Sequence, residues 1–111
     1  MTEKKRIIRL MFAKLKPAYH KLSEEEQQEF MRKDREKCEE LGYKLRFMLD
    51  CSWSTEEWQF IGIEEWPSTE AIKKFEKFHE EELELSKYVE TKTYLSTPVY
   101  DEYTQNGITN K

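Results

Sequence analysis

The feature that most constrains the fold is an alternating segment at residues 43–51. Every second residue of this segment is apolar: Tyr43, Leu45, Phe47, Leu49 and Cys51. A period of two is typical of a β-strand with one buried face, because successive side chains point to opposite sides. The segment therefore predicts a strand, and a strand needs a sheet to join.

A bounded helix precedes this strand, over residues 24–41. Ser23 and Glu26 have the spacing of a capping box, in which each side chain accepts a hydrogen bond from the other residue's backbone N–H. Gly42 stands just after the helix, where a left-handed backbone commonly ends one. Both ends of the first helix are therefore marked in the sequence.

Three further strands and a second helix follow from the same reasoning. Residues 6–15, 57–66 and 88–97 are short, apolar or aromatic runs that end in or near turn residues. Pro67, Ser68 and Glu70 mark the start of a helix over residues 69–84. The order βαββαβ predicts an α+β, ferredoxin-like fold, with a four-stranded antiparallel sheet and two helices on one face.

The length of 111 residues predicts one domain, over residues 1–97, followed by an arm at 98–111 that is mobile or contacts a partner. Charged residues make up 38% of the chain, but aromatic residues make up 14%, which is enough to build a core.

Several functional classes are disfavoured by what the sequence lacks. The two cysteines, Cys38 and Cys51, have no metal-ligand spacing, and no nucleotide-binding motif occurs. We therefore expect no metal and no cofactor. Sparse cysteine use and the lack of a membrane-spanning or signal segment predict a cytoplasmic protein without a membrane partner. A net charge of −4 and acidic residues on the third strand argue against nucleic acid, although an RNA-binding module would share this strand order.

Strand parity predicts which residues face the helices, because the helices must cover the more apolar side of the sheet. The expected helix-facing set is Ile8, Leu10, Phe12, Leu45, Phe47, Leu49, Ile61, Ile63, Val89 and Leu95. The opposite face is then expected to carry Ile7, Met11, Met48, Trp58, Phe60, Trp66, Tyr88 and Tyr94, interleaved with Arg9, Arg46, Glu64, Glu90 and Lys92. So much exposed aromatic surface predicts a homodimer through this face.

The run Glu64-Glu65-Trp66-Pro67-Ser68-Thr69-Glu70-Ala71-Ile72, followed by His79, resembles the dimeric α+β barrel superfamily, which includes the antibiotic-biosynthesis-type monooxygenases. Residues 14–19 and 22–25 resemble an uncharacterised family within it. The resemblance implies two sheets packed face to face in a dimer, with a lumen that binds small molecules in the enzymatic members. Haem-degrading members carry an asparagine on the first strand, but no asparagine precedes Asn106 here.

The function expected on this basis is small-molecule binding, with cofactor-independent, monooxygenase-like chemistry on a small aromatic or phenolic substrate. The alternative is a non-catalytic ligand-binding or stress-associated dimer. Whether the protein is an enzyme is left open by the sequence, because no set of residues in it requires catalysis.

The candidate ligand-binding residues combine cations with aromatic rings, which suits a flat anionic or phenolic molecule. They are Arg9, Arg46, Trp58, Phe60, Glu64 and Trp66. The competing interpretation is that the two arginines pair with Glu64 or Glu90 inside the dimer interface.

The candidate catalytic residues are His79 and Asp34, each on the apolar stripe of a helix. Each also has a purely structural interpretation: a packed histidine, and an aspartate bonded to a tyrosine or arginine of the sheet. Gly62, in the middle of a strand, predicts the close approach of another backbone, ring or ligand.

Overall fold

The computed structural model describes residues 7–99 of the chain. The elements are β1 (Ile7–Leu15), α1 (Pro17–His20), α2 (Glu24–Leu41), β2 (Lys44–Asp50), β3 (Phe60–Trp66), α3 (Thr69–Glu81), α4 (Leu85–Tyr88) and β4 (Val89–Ser96). Most of the predicted arm at 98–111 lies outside the described residues. The division into a domain and an arm stays a prediction.

The four strands form one antiparallel sheet in the order β2-β3-β1-β4. The chain therefore crosses from β1 over α2 to β2, and from β3 over α3 to β4, as a split βαβ repeat does. The predicted α+β, ferredoxin-like fold class is confirmed. The short helices α1 and α4 were not predicted, because a single turn leaves too few residues for a helical period to show in the sequence.

The bounds of α2 match the prediction at both ends. The Ser23 hydroxyl accepts from the backbone N–H of Glu26, and the Glu26 carboxylate accepts from the backbone N–H of Ser23. Gly42 ends the helix with φ 84°, a left-handed conformation that glycine adopts without a side-chain clash. Local backbone chemistry thus sets the two ends of this helix.

The helix α3 is shorter than the sequence predicts, ending at Glu81 instead of residue 84. Glu80, Glu81 and Glu82 crowd this end, where the helix dipole disfavours negative charge. The chain then reverses through Glu84, which has φ 50° and directly precedes α4. β3 also begins later than predicted, at Phe60, because residues 51–59 form turns.

The prediction of which sheet face meets the helices is correct for β4 and for Leu45 but wrong for β1, β3 and the rest of β2. Ile7 pairs with Trp66 and Arg9 with Glu64, and the Trp66 ring packs on Phe75 of α3 with 1% exposure. The helix-side face therefore contains Ile7, Arg9, Met11, Met48, Phe60, Gly62, Glu64 and Trp66. The residues on the open face, away from the helices, are Ile8, Leu10, Phe12, Phe47, Leu49, Ile61, Ile63 and Tyr94.

The reversal has a physical reason. The sequence prediction placed the face with more aliphatic residues against the helices. The helices instead cover the Trp66 ring and the Arg9–Glu64 pair, whose opposite charges neutralise each other. The main core consists of Trp66 with Cys38, Ala71, Ile72 and Phe75, flanked by Ile7, Leu41 and Tyr43. Val89, predicted to face the helices, is buried on that side.

Candidate functional site

A buried charge cluster lies on the helix side of the two central strands. Arg9 Nη1 donates to Glu64 Oε1 at 2.7 Å, and Trp66 Nε1 donates to the same oxygen at 2.9 Å. The side chains of Arg9 and Glu64 are only 5% and 4% exposed. We call these three residues the Arg9 cluster. The direct pairing of Arg9 with Glu64 across β1 and β3 brings the two charges together.

One donor of this cluster remains free. Arg9 Nε is buried and makes no hydrogen bond within the described part of the chain. The carboxylate of Glu76 on α3 is half-exposed, and its Oε2 lies 4.0 Å from Nε, beyond hydrogen-bond distance. A buried N–H without an acceptor is costly, because it has lost its water without gaining a partner.

A second polar pair joins the two long helices. His79 Nε2 of α3 and Asp34 Oδ1 of α2 are 2.6 Å apart, and the imidazole is 13% exposed. The sequence predicted that each residue lies on an apolar stripe but did not predict that they meet. A carboxylate beside one ring nitrogen fixes which nitrogen carries the proton.

Phe75 lies between the Arg9 cluster and the histidine pair. Its ring centroid is 3.9 Å from that of His79, and the Arg9 guanidinium carbon is 5.6 Å from the same ring. The imidazole and the guanidinium therefore both lie against one aromatic ring.

The Arg9 guanidinium and the His79 imidazole both line a cavity of about 260 Å³ between α3, α4 and the sheet. We call it the α3–β4 cavity. Its lining is Arg9, Glu76, His79, Glu80, Leu85, Ser86, Thr91 and Thr93. The two threonines face the helices because Thr91 pairs with Ala13 and Thr93 with Met11. The cavity thus combines hydroxyls, an imidazole, two carboxylates and a buried guanidinium.

A wider groove of about 410 Å³ lies elsewhere, between α2 and the chain around α4. Its polar lining consists of side chains at the protein surface, Glu25, Glu26, Glu29, Lys33, Glu82 and Glu84. Such groups are solvated and need no ligand, so the α3–β4 cavity is the stronger candidate site.

The structure separates the residues that the sequence grouped into one ligand site. Arg9, Glu64 and Trp66 lie together. Arg46 stands at a β-bulge of β2, where its Nη1 donates to Glu65 at 2.9 Å. Trp58 contacts the ring of Phe12, which belongs to the open face, and Phe60 pairs with Ala13 at the far end of β3 from Trp66.

The alternative interpretation of the arginines anticipated part of this arrangement. Arg9 does pair with Glu64, but beneath the helices of a single chain, and the partner of Arg46 is the neighbouring Glu65. Gly62 also lies on the helix side: a β-carbon there would be 3.3 Å from Met11 Cε and 3.6 Å from Met48 Cε. Two methionine side chains therefore make the close approach at this glycine.

Thr91, Thr93, Glu76, Leu85 and Ser86 were missed by the sequence reasoning. The alternation of β4 could have placed both threonines on one face, but only the register shows that they share that face with Arg9. Leu85 and Ser86 belong to α4, which carries no periodic signal.

Burial also changes the acidity of groups behind the cavity. Desolvation raises the pKa of the Cys38 thiol well above its ordinary value, and the carboxylates of Asp34 and Glu64 add to this. Burial likewise raises the pKa of Tyr43. Both groups stay neutral at pH 7 and serve as packing. Within residues 7–99, no group of three or more potential ligands could hold a metal ion, and no helix could span a membrane.

Comparison with known proteins supports the architecture. No family model matches the sequence, and no curated protein matches it. A crystal structure described as a "Putative Chlorite dismutase" is similar, with a TM-score of 0.60 and 17% sequence identity. The similarity covers 85% of this chain and 44% of that chain, so this chain spans less than half of its neighbour.

Identity this low shows the fold alone, and the finer resemblance to antibiotic-biosynthesis-type monooxygenases stays a prediction. The element order, the strand order and this structural neighbour agree: the chain has a ferredoxin-like α+β fold.

Proposed function

We propose that the protein binds a small organic molecule in the α3–β4 cavity and holds an oxygen of that molecule on Arg9 Nε. The unpartnered, buried Nε–H is the observation that carries this proposal. An acceptor oxygen from a ligand would satisfy the donor, and a guanidinium favours phenolate or carboxylate oxygens.

The size and lining of the cavity favour a small, partly aromatic ligand. Leu85 and the imidazole of His79 supply surface for a ring, while Thr91 and Thr93 supply hydroxyls that can donate or accept. Cofactor-independent, monooxygenase-like chemistry on a phenolic substrate is the finer proposal. In such chemistry the substrate supplies the electrons for oxygen, and the protein orients and ionises it.

The alternative proposal is a non-catalytic ligand-binding or stress-associated dimer. It would use the same cavity without turnover. Oxygen consumption in the presence of a bound phenol distinguishes the two, because only the enzyme would consume oxygen in proportion to substrate.

Tryptophan fluorescence provides the binding experiment, since Trp66 belongs to the Arg9 cluster. We expect saturable quenching with at least one compound in a panel of phenols and aromatic acids. Arg9→Lys should weaken binding about tenfold, because lysine keeps a positive charge beside Glu64 but lacks the Nε–H group. Arg46→Lys is the matched control, since Arg46 lies outside the cavity.

Quenching that is absent across the panel would contradict the proposal. Equal weakening by Arg9→Lys and Arg46→Lys would also contradict it, because a general change in charge would then explain the effect. Melting temperatures of both variants separate lost binding from lost folding.

We also propose that two copies pair through the open face, and that the protein is cytoplasmic. In the single chain, Phe47 on β2 and Tyr94 on β4 are 60% and 49% exposed, with half-buried Ile, Leu and Phe residues between them. Water contact with the apolar side chains of β1, β2 and β3 and with Tyr94 is unfavourable, and a second copy would remove it. Glu90 and Lys92 lie on the same face at the edge strand β4.

A further inference from the structure

We propose that Asp34 and His79 form a proton-accepting pair that ionises a hydroxyl-bearing ligand in the α3–β4 cavity. This inference rests on the proposed function, because it requires a ligand whose oxygen lies on Arg9. It adds the ligand class, a phenol or enol, and a residue that takes its proton.

The hydrogen bond between the helices determines which nitrogen can accept. Asp34, when ionised, only accepts hydrogen bonds, so Nε2 of His79 must carry a hydrogen and donate it at 2.6 Å. In the neutral imidazole, Nδ1 then holds the free electron pair. Among residues 7–99, no hydrogen bond involves Nδ1, which leaves it available to a ligand.

Asp34 and Arg9 are placed to stabilise the two products of proton transfer. The ligand O–H bond breaks, its proton binds Nδ1, and the electron pair stays on the ligand oxygen. The imidazolium is then stabilised by Asp34 of α2, and the new oxyanion by Arg9 Nε of β1. No oxidant or further reactant is needed.

Two further carboxylates line the cavity beside His79 and Arg9. Glu76 and Glu80 line the cavity from α3 itself, and Glu64 of β3 is occupied by Arg9 and Trp66. The imidazole packs against the tilted ring of Phe75, which holds it in place.

This arrangement selects for ligand chemistry. A carboxylic acid is already ionised at pH 7 and gains nothing from a base, whereas a phenol or enol is mostly neutral and gains reactivity when it loses its proton. A phenolate is also electron-rich, which suits the oxygenation chemistry proposed above.

The test uses para-nitrophenol, whose phenol and phenolate forms absorb at different wavelengths. Bound to the wild-type protein, its apparent pKa should fall by about one unit or more, so the phenolate spectrum appears at a lower pH. His79→Gln and Asp34→Asn should abolish most of this shift. His20→Gln is the matched control, because His20 is exposed on α1, and it should keep the full shift.

Nitrogen NMR on the His20→Gln protein provides a readout that a purely structural histidine would not change. With a single histidine left, its Nδ1 signal should move to the imidazolium position when para-nitrophenol binds. This measurement remains decisive even if His79→Gln fails to fold.

The outcomes separate the two proposals. Saturable binding with an unshifted pKa and an unchanged imidazole signal would overturn this inference and leave the binding proposal standing. Failure of para-nitrophenol and of every other phenol and aromatic acid to bind would overturn both.

Discussion

Glu64 illustrates how a charged residue can lie in the core of this small fold. One of its oxygen atoms accepts from both Arg9 and Trp66, so the carboxylate is paired and bonded where water is nearly absent. Its neighbour Glu65 also pairs with an arginine, but on the other face and with partial exposure. Two adjacent glutamates are thus in opposite environments.

Glu64→Ala should lower the free energy of unfolding by about 3–5 kcal/mol, because within the described residues it leaves the buried Arg9 charge with only the half-exposed Glu76 carboxylate nearby. Glu65→Ala should cost less than about 1 kcal/mol, since solvent screens its ion pair. Urea unfolding of both variants measures the difference. Similar losses of unfolding free energy in the two variants would contradict the prediction that burial makes the loss of Glu64 more costly than the loss of Glu65.

Cys38 provides a pH-dependent prediction. Its folded pKa is raised above the ordinary 9.0, chiefly by burial, so above that pH an unfolded chain binds fewer protons than the folded one. Stability should therefore be retained below about pH 9 and decline as the pH rises further, by up to about 1.4 kcal/mol per pH unit from this thiol.

Urea unfolding at several alkaline pH values measures this decline. Cys38→Ala should make the decline shallower, whereas Cys51→Ala, at a partly exposed site, should leave it as in the wild type. A decline of the same slope in all three proteins would assign it to other groups, such as Tyr43.

At the scale of elements, the two long helices end by different means. Gly42 provides the left-handed residue that closes α2, whereas Glu84 adopts a similar backbone before α4 although it carries a side chain. A residue with a β-carbon is strained in this region by about 1–2 kcal/mol.

Glu84→Gly should therefore raise the free energy of unfolding by roughly 0.5–1 kcal/mol, after the greater flexibility of an unfolded glycine is subtracted. The control is Glu82→Gly, at φ −97°, which should lower it by about 1 kcal/mol. Thermal melts compare the two. A loss of stability in Glu84→Gly would show that the backbone there is relaxed.

At the scale of the whole molecule, the sheet has two unlike faces. The helix side contains the Arg9 cluster and the α3–β4 cavity. The open face is largely apolar on β1, β2 and β3, and β4 adds Tyr94 beside the charged Glu90 and Lys92. The two proposals of ligand binding and pairing therefore concern opposite sides of one sheet, so they can be tested independently.

Light scattering should give a particle of twice 13.6 kDa at micromolar concentration. An interface of ordinary size would bury about 1,600 Å² in total. Phe47→Asp should halve the mass, because an ionised carboxylate resists burial between two sheets.

Met31→Asp is the control, at a comparably exposed apolar residue on α2. Its mass should stay that of the dimer. A wild-type mass of 13.6 kDa, or equal effects of the two substitutions, would contradict pairing through the open face.

The sequence by itself determined the order of the main elements and most of their bounds. Capping by Ser23, the stop at Gly42 and the alternation of residues 43–51 all act between residues close in the chain, so a local pattern records them. Asp34 and His79 were singled out for the same reason, as polar residues on apolar stripes.

Only the tertiary structure decided which face the helices cover and which of these side chains meet. Register pairs Arg9 with Glu64, and the packing of α2 on α3 pairs Asp34 with His79 across 45 residues of chain. These outcomes depend on the total burial of large rings and on the mutual neutralisation of distant charges. Both are sums over the whole fold, and no local window of the sequence contains them.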